Sequence, residues 1–236
     1  MKQLLHPQQW RELGRGIRAE LPITLGVVPF GMIYGVLAVA AGLPPVQAQA
    51  MSSIVFAGSA QFIAAQLIGV GTPAAILLLT TFIVNLRHLL YSASLTPHVR
   101  HLAAPWRWLL AYLLTDEAYA VTILHYDDET QDAAQKHFFF LGAGLTLWTT
   151  WQVSTAVGIF LGAQVPASWS LDFTLALTFI GLVVPVLNDW PHRGAALAAG
   201  LAAAITIGLP FKLGLMVAAL TGIAVGVWLE NQSQLQ

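Results

Sequence analysis

The sequence predicts an all-α polytopic membrane protein, a bundle of about six to eight transmembrane segments. Two observations carry that prediction. Of 236 residues, 57% are apolar and only 9% are charged, with a mean hydropathy of +0.70; a soluble domain carries about 25% charged residues. The apolar residues also fall into long runs separated by turns rich in Pro, Gly and charge, the pattern of successive spanning helices. The same composition excludes other classes. A net charge of −1 points to no nucleic acid or other polyanionic partner. The absence of cysteine excludes disulfides, thiolate metal sites and cysteine nucleophiles. With no metal-spaced ligand cluster, nucleotide-binding glycine loop or nucleophile-with-base signature, no metal, cofactor or catalytic residue is expected.

In chain order, residues 1–20 carry Lys2, Arg11, Arg15 and Arg18 beside Glu12 and Glu20. This basic entry, without a cleavable signal peptide, is expected in the cytoplasm. Trp10, Leu13 and Ile17 recur as in a short surface helix. A single transmembrane domain is expected over 21–229, with 230–236 as a tail. The first span, 21–41, contains Pro22, Pro29, Gly31 and Gly35, which serve either as kinks or as small faces for close packing. Pro29 and Gly31 are the hinge candidates there, and Pro44-Pro45 ends the helix. Segment 46–68 is rich in Gln and Ser around Ala57-Gly58-Ser59-Ala60. Two short helices broken at Gly58 fit it as well as one span with internally bonded polar groups. A break would turn backbone N–H groups and a helix N-terminus into the membrane interior, where they can hold an anion.

The run 74–94 is expected to be one helix of about 21 residues, long enough to cross a hydrocarbon core. It ends in Asn85-Leu86-Arg87-His88-Leu89-Leu90-Tyr91. Two readings of Arg87 stand: a side chain snorkelling to the headgroups, or part of a polar site facing a cavity. Residues 106–126 read as the next span, with Thr115-Asp116-Glu117 at its centre. Adjacent positions differ by about 100° on a helix, so one carboxylate enters the bundle while the other runs along a neighbouring helix. A fixed ion pair with Arg87 is the structural alternative. Then come an acidic loop, a span at 138–162 carrying Thr149, Thr150 and Gln152, a segment 169–188 broken at Gly181, and a last pair at 194–209 and 212–228. Faint ordered echoes between 21–126 and 137–229 suggest two inverted repeats, each with a broken or re-entrant helix. The basic-residue count favours that arrangement, with Arg100, Arg107 and Arg193 inside and Lys136 and Lys212 outside.

Four motifs together resemble the AzlC-type large subunit of branched-chain amino acid exporters. They are Pro29-Phe30-Gly31 with Tyr34-Gly35, the stretch Phe56-Ala57-Gly58-Ser59-Ala60-Gln61-Phe62, Asn85-Leu86-Arg87-His88 with Tyr91-Ser92, and Thr115-Asp116-Glu117. The resemblance implies export of leucine, isoleucine and valine across the bacterial inner membrane, together with a separately encoded small AzlD-type subunit. The residue chemistry agrees. A zwitterion needs a cationic or N–H-rich patch and an anionic acceptor, so Arg87, Asn85, Tyr91, Ser59, Gln61, Asp116 and Glu117 are the substrate-binding candidates. Phe56, Phe62, Ile63 and Phe82 are candidates for an apolar pocket. Asp116, Glu117 and His88 are the proton-coupling candidates. The alternative is a membrane channel for a small polar solute, with Arg87 and the acidic pair as its constriction. Nothing in the sequence specifies self-association.

Overall fold

The computed structural model describes residues 7–127, 135–162, 187, 189–210 and 213–233, and every regular element among them is a helix. The chain forms two compact units: Met1–Gly69 with Val84–Val165, and Val70–Ile83 with Pro166–Gln236. Among the described residues, Pro7–Ala40 and Leu213–Gln232 are each long and apolar enough to cross a membrane. Ala74–Asn85 with Arg87–Val99 adds a third crossing if the two form one broken span.

The first unit is built on α1 (Pro7–Ala40) and α8 (Lys136–Gly162). At 34 residues, α1 is about 51 Å long by the 1.5 Å rise of an α-helix. It runs unbroken through Pro22, Pro29 and Gly31, so the expected surface helix and first span are one element. The small residues act in packing. Gly16, Gly31 and Gly35 of α1 lie against the α8 backbone or Ser154, and Gly142, Gly158 and Gly162 return the contact. A Cβ on Gly35 would lie 2.5 Å from the Thr155 carbonyl, a separation only glycine permits. Because Gly16 meets Phe139 and Ala143 while Gly35 meets Thr155, Gly158 and Ile159, the two helices run parallel.

A first helical hairpin leaves the C-terminal end of α1. Its arms are α2 (Pro45–Val55) and α3 (Gly58–Gly69). Tyr34 Oη donates to the Ala48 carbonyl at 2.9 Å, and Gly69 returns to Ala41, so both arms open toward the same end. The turn is made by Phe56, left-handed at φ 39° and ψ 49°, a conformation unusual for a bulky residue. The break therefore falls at 56–57, with Gly58 the first residue of α3. The inner face of this hairpin is polar. Gln152 Oε1 accepts from Gln49 Nε2 and from Ser53 Oγ, each at 2.8 Å, and the Ser52 and Thr155 hydroxyls are 3.1 Å apart.

Two of the expected spans are corrected. The single helix expected over 74–94 is opened at Leu86, between α4 (Ala74–Asn85) and α5 (Arg87–Val99). The Leu89 N–H turns to the Leu86 carbonyl at 3.0 Å, which frees the Asn85 carbonyl, and His88 Nδ1 takes it at 3.2 Å. The span expected over 106–126 instead doubles back as α6 (Ala104–Tyr112) and α7 (Asp116–Asp127). On the way in, Trp106 touches His137 and Phe138, and Tyr112 accepts from Trp148 Nε1 at 2.7 Å. On the way back, His125 stacks on Phe139 at 3.8 Å, and Lys136 Nζ donates to the Tyr126 carbonyl at 2.8 Å. The turn exists because Thr115 starts a new helix: its Oγ1 accepts the Ala118 N–H at 3.3 Å, and Asp116 and Glu117 occupy the first turn, where the helix dipole favours negative charge. One consequence overturns a sidedness expectation. Lys136, expected outside, lies beside Tyr126 at the N-terminal end of α1, where Glu12 also pairs with His125.

The second unit contains the helices Trp190–Ile205 and Leu213–Ser233. They pack antiparallel through small residues, Gly222 on Ala199 and Gly226 on Ala195, as membrane helices do. Asp189 caps the first of them by accepting the His192 N–H at 2.9 Å. That bond, with the His192 ring beside it, holds the Asp189 carboxyl below the usual carboxylate range. The break expected at Gly181, with nearly all of 169–188, lies outside the described residues.

Candidate functional site

The two hairpins enter the first unit from opposite ends, and their tips meet. Tyr112, at the end of α6, donates its hydroxyl to the Ser53 carbonyl of α2, and its ring lies 5.9 Å from that of Phe56. Arg87 spans the junction. One terminal nitrogen pairs with Asp116 Oδ2 at 2.6 Å, and the other donates to Ser59 Oγ at 3.3 Å. Ser59 lies in the first turn of α3, Arg87 opens α5 and Asp116 opens α7. Three helix N-termini thus converge, and their partial positive charge adds to that of the guanidinium.

The pair is not sealed. The Arg87 and Asp116 side chains are 30% and 36% exposed, so solvent screens the attraction and it is worth less than a buried pair. Capacity for further bonds remains. Arg87 Nε, Asp116 Oδ1 and Asn85 Oδ1 have no hydrogen-bond partner. Tyr91 stacks on Tyr119 at 4.5 Å, Tyr119 donates to Ser94 Oγ at 3.0 Å, and Tyr91 lies within electrostatic reach of Asp116. His88 is edge-on to Tyr91 at 6.0 Å.

The expected site residues therefore separate into groups. Arg87, Asp116 and Ser59 are in direct contact, with Asn85, His88 and Tyr91 alongside. Gln61 belongs to the foundation of the first hairpin: its fully buried Oε1 accepts the Ala57 N–H and Trp151 Nε1–H, both at 3.2 Å. This is a side chain reaching back to satisfy an orphan donor at a helix start. Phe62 packs edge-on against Phe30 and Tyr34 of α1. Phe82 belongs to the second unit. Glu117 diverges from Asp116, as neighbours on a helix must, and interacts with Glu20 of α1. The sequence assigns no role to Glu20, Tyr112 and Tyr119, and shows Thr115 only as part of the Thr115-Asp116-Glu117 motif. The signal for Glu20 was a carboxylate directly before a long apolar run. For Thr115 it was a capping residue followed by two acids, the signature of a helix start.

The sequence is similar to those of known membrane proteins. The AzlC protein family matches residues 22–165, which contain both hairpins and α8. A membrane protein of Archaeoglobus fulgidus is 28% identical over 91% of this chain and 94% of its own length. The inner membrane protein YgaZ of Escherichia coli is 24% identical, covering 90% of each chain. The branched-chain amino acid transport protein AzlC of Bacillus subtilis is 27% identical over 85% of this chain and 78% of its own. No solved structure matches. The family match covers well over half of the sequence and all of the Arg87–Asp116–Ser59 junction, and on that ground the chain belongs to the AzlC protein family.

Proposed function

We propose that this protein is a secondary transporter that exports leucine, isoleucine, valine and similar apolar amino acids across the bacterial inner membrane. The observation that carries the reading is Arg87, held between two hairpin tips by Asp116 and Ser59 while Arg87 Nε, Asp116 Oδ1 and Asn85 Oδ1 stay unspent. An amino acid carries one carboxylate and one ammonium, and the junction offers a partner to each. The carboxylate competes with Asp116 for Arg87, aided by Ser59 and the converging helix N-termini. The ammonium takes the released Asp116 and the Asn85 carbonyl oxygen of its side chain. Substrate therefore separates the tips by replacing the ion pair that joins them, which is a differential interaction between closed and open forms. Because the tips enter from opposite ends, retreat of one or the other opens the same site to opposite sides, the logic of alternating access.

The basic residues give the orientation. Arg11, Arg15 and Arg18 lie on the early turns of α1, and Arg100 and Arg107 flank the entrance to the α6–α7 hairpin at that same end, so this end is cytoplasmic. The chain is expected to need the small AzlD-type subunit, and an ion gradient supplies the energy. The test is efflux of labelled leucine from vesicles containing this chain, with and without the small subunit. Saturable exchange that ceases in Arg87→Gln is the expected result. Non-saturating flux without exchange would make the protein a channel.

A further inference from the structure

One carboxyl in the first unit has no role in that cycle. Glu20 of α1 has 0% of its surface exposed, and neither carboxyl oxygen has a hydrogen-bond partner. Its height in the unit is fixed by packing. Gly16, one turn earlier, lies against Phe139 and Ala143, and Gly144 lies against Leu113, so Glu20 stands level with the tip of the α6–α7 hairpin. Glu117, in the first turn of α7 at that tip, lies within electrostatic reach of it, and Glu117 itself has the Thr115 hydroxyl and a helix-start N–H as donors. The other ionisable groups around them are engaged. Asp116 is paired with Arg87, and His125 of α7 with Glu12. Lys136 of α8 bonds the Tyr126 carbonyl, and His137 packs on Trp106. On α5, His88 bonds the Asn85 carbonyl, Tyr91 stacks on Tyr119, and His98 packs on Tyr126. On α1 itself Arg18 is two positions away, on another face of the helix. The α2 and α3 helices carry no ionisable side chain.

A carboxylate without donors is expensive to bury, and two close to each other do not both ionise. We infer that this couple holds one proton, with Glu20 as the carboxylic acid and Glu117 as the carboxylate, and that this proton is the ion exchanged for the amino acid. This rests on the transport reading above. Glu117 and Asp116 open the same helix, so one movement of the α6–α7 tip breaks the Asp116–Arg87 pair and exposes the carboxyl couple to water. The O–H bond then breaks, the proton passes to water as hydronium, and both carboxylates are left solvated. Return of the tip requires a proton to be taken up again, from whichever side is then open.

Two measurements on the purified full chain test the inference. The first is infrared spectroscopy in lipid vesicles at neutral pH. The wild type should display the C=O stretch of a protonated carboxyl; Glu20→Gln should lose it and Glu20→Asp should keep it. An undiminished band in Glu20→Gln overturns the inference, and so does the absence of any band from the wild type. The second compares leucine counterflow at equal pH with leucine accumulation driven by an imposed pH gradient. Glu20→Gln should retain the first and lose the second, whereas gradient-driven accumulation at the wild-type level would overturn the coupling role. Absence of counterflow from the wild type contradicts the transport reading alone, and the infrared band then still decides whether the carboxyl couple holds a proton.

Discussion

The α2–α3 and α6–α7 hairpins have the same shape and opposite chemistry. The first turns through Phe56, Ala57 and Gly58 with no charged residue, and it satisfies itself: Gln61 takes the Ala57 N–H and Ser52 the Phe56 N–H. The second turns through Leu114 and Thr115 into two carboxylates; Leu109 and Ala111 take the Leu113 and Leu114 N–H groups, and Thr115 takes that of Ala118. Its charge needs a partner from outside, and Arg87 supplies one. The difference teaches that a closed hairpin and a switchable one are distinguished by where the tip's last polar group finds its bond. The first tip is braced on Trp151 and Gln152, so it retreats only as one body. The second is held by an ion pair, the one the proposed mechanism has a zwitterion replace.

Breaking the bridge should produce the largest effect. Arg87→Gln is expected to abolish leucine efflux and to lower the thermal midpoint. The stability loss should fall below the roughly 3–5 kcal/mol of a fully buried pair, because about a third of each side chain is exposed. Arg87→Gln combined with Asp116→Asn should regain stability and stay inactive. A double variant that transports at the wild-type rate would remove both residues from the mechanism.

Next in size is the braced tip. Gln61→Leu strands the Ala57 N–H and the Trp151 indole N–H, each at about 1–3 kcal/mol. A thermal melt should fall clearly, with efflux reduced in proportion to folded protein rather than abolished. Thr115→Val removes one cap, worth about 1 kcal/mol, and should disturb the switchable tip. Efflux is expected to drop more than stability does, with Thr115→Ser restoring both.

The smallest effect lies away from both hairpins. The Asp189 carboxyl is held below its usual range by the His192 N–H. Its stabilising effect is therefore present above the ordinary carboxylate range and is lost as acid protonates the group in the fold. Asp189→Asn should flatten that part of a stability-against-pH curve while leaving efflux at neutral pH unchanged.

How the two tips looked in the sequence follows from the same contrast. The first was legible because Gly58 sits among Gln and Ser, which depress the apolar run and mark a place where a helix gains little by continuing. The second was hidden because Leu109, Leu110, Leu113 and Leu114 on one side and Ala118 and Val121 on the other keep the run apolar across the turn. Length alone then argues for one crossing. Thr115-Asp116-Glu117 reads equally as charge at mid-membrane or as a helix start, and local capping won. Glu20 was obscured differently: its neighbours Arg15 and Arg18 suggested a solvated basic segment, while α1 carries it straight into the packed interior. Of the two readings of Gly31, close packing has a partner in the fold, because the Ser154 side chain of α8 lies where a Cβ would otherwise stand.

The central claim is that the two hairpins enter from opposite sides of the membrane. In this cysteine-free chain, single cysteines at exposed Gln47, at the mouth of the first hairpin, and exposed Ala103, at the mouth of the second, test it directly. An impermeant thiol reagent applied to intact cells and to inverted vesicles should label position 47 only from the periplasm and position 103 only from the cytoplasm. Labelling of both positions from the same side would contradict the account.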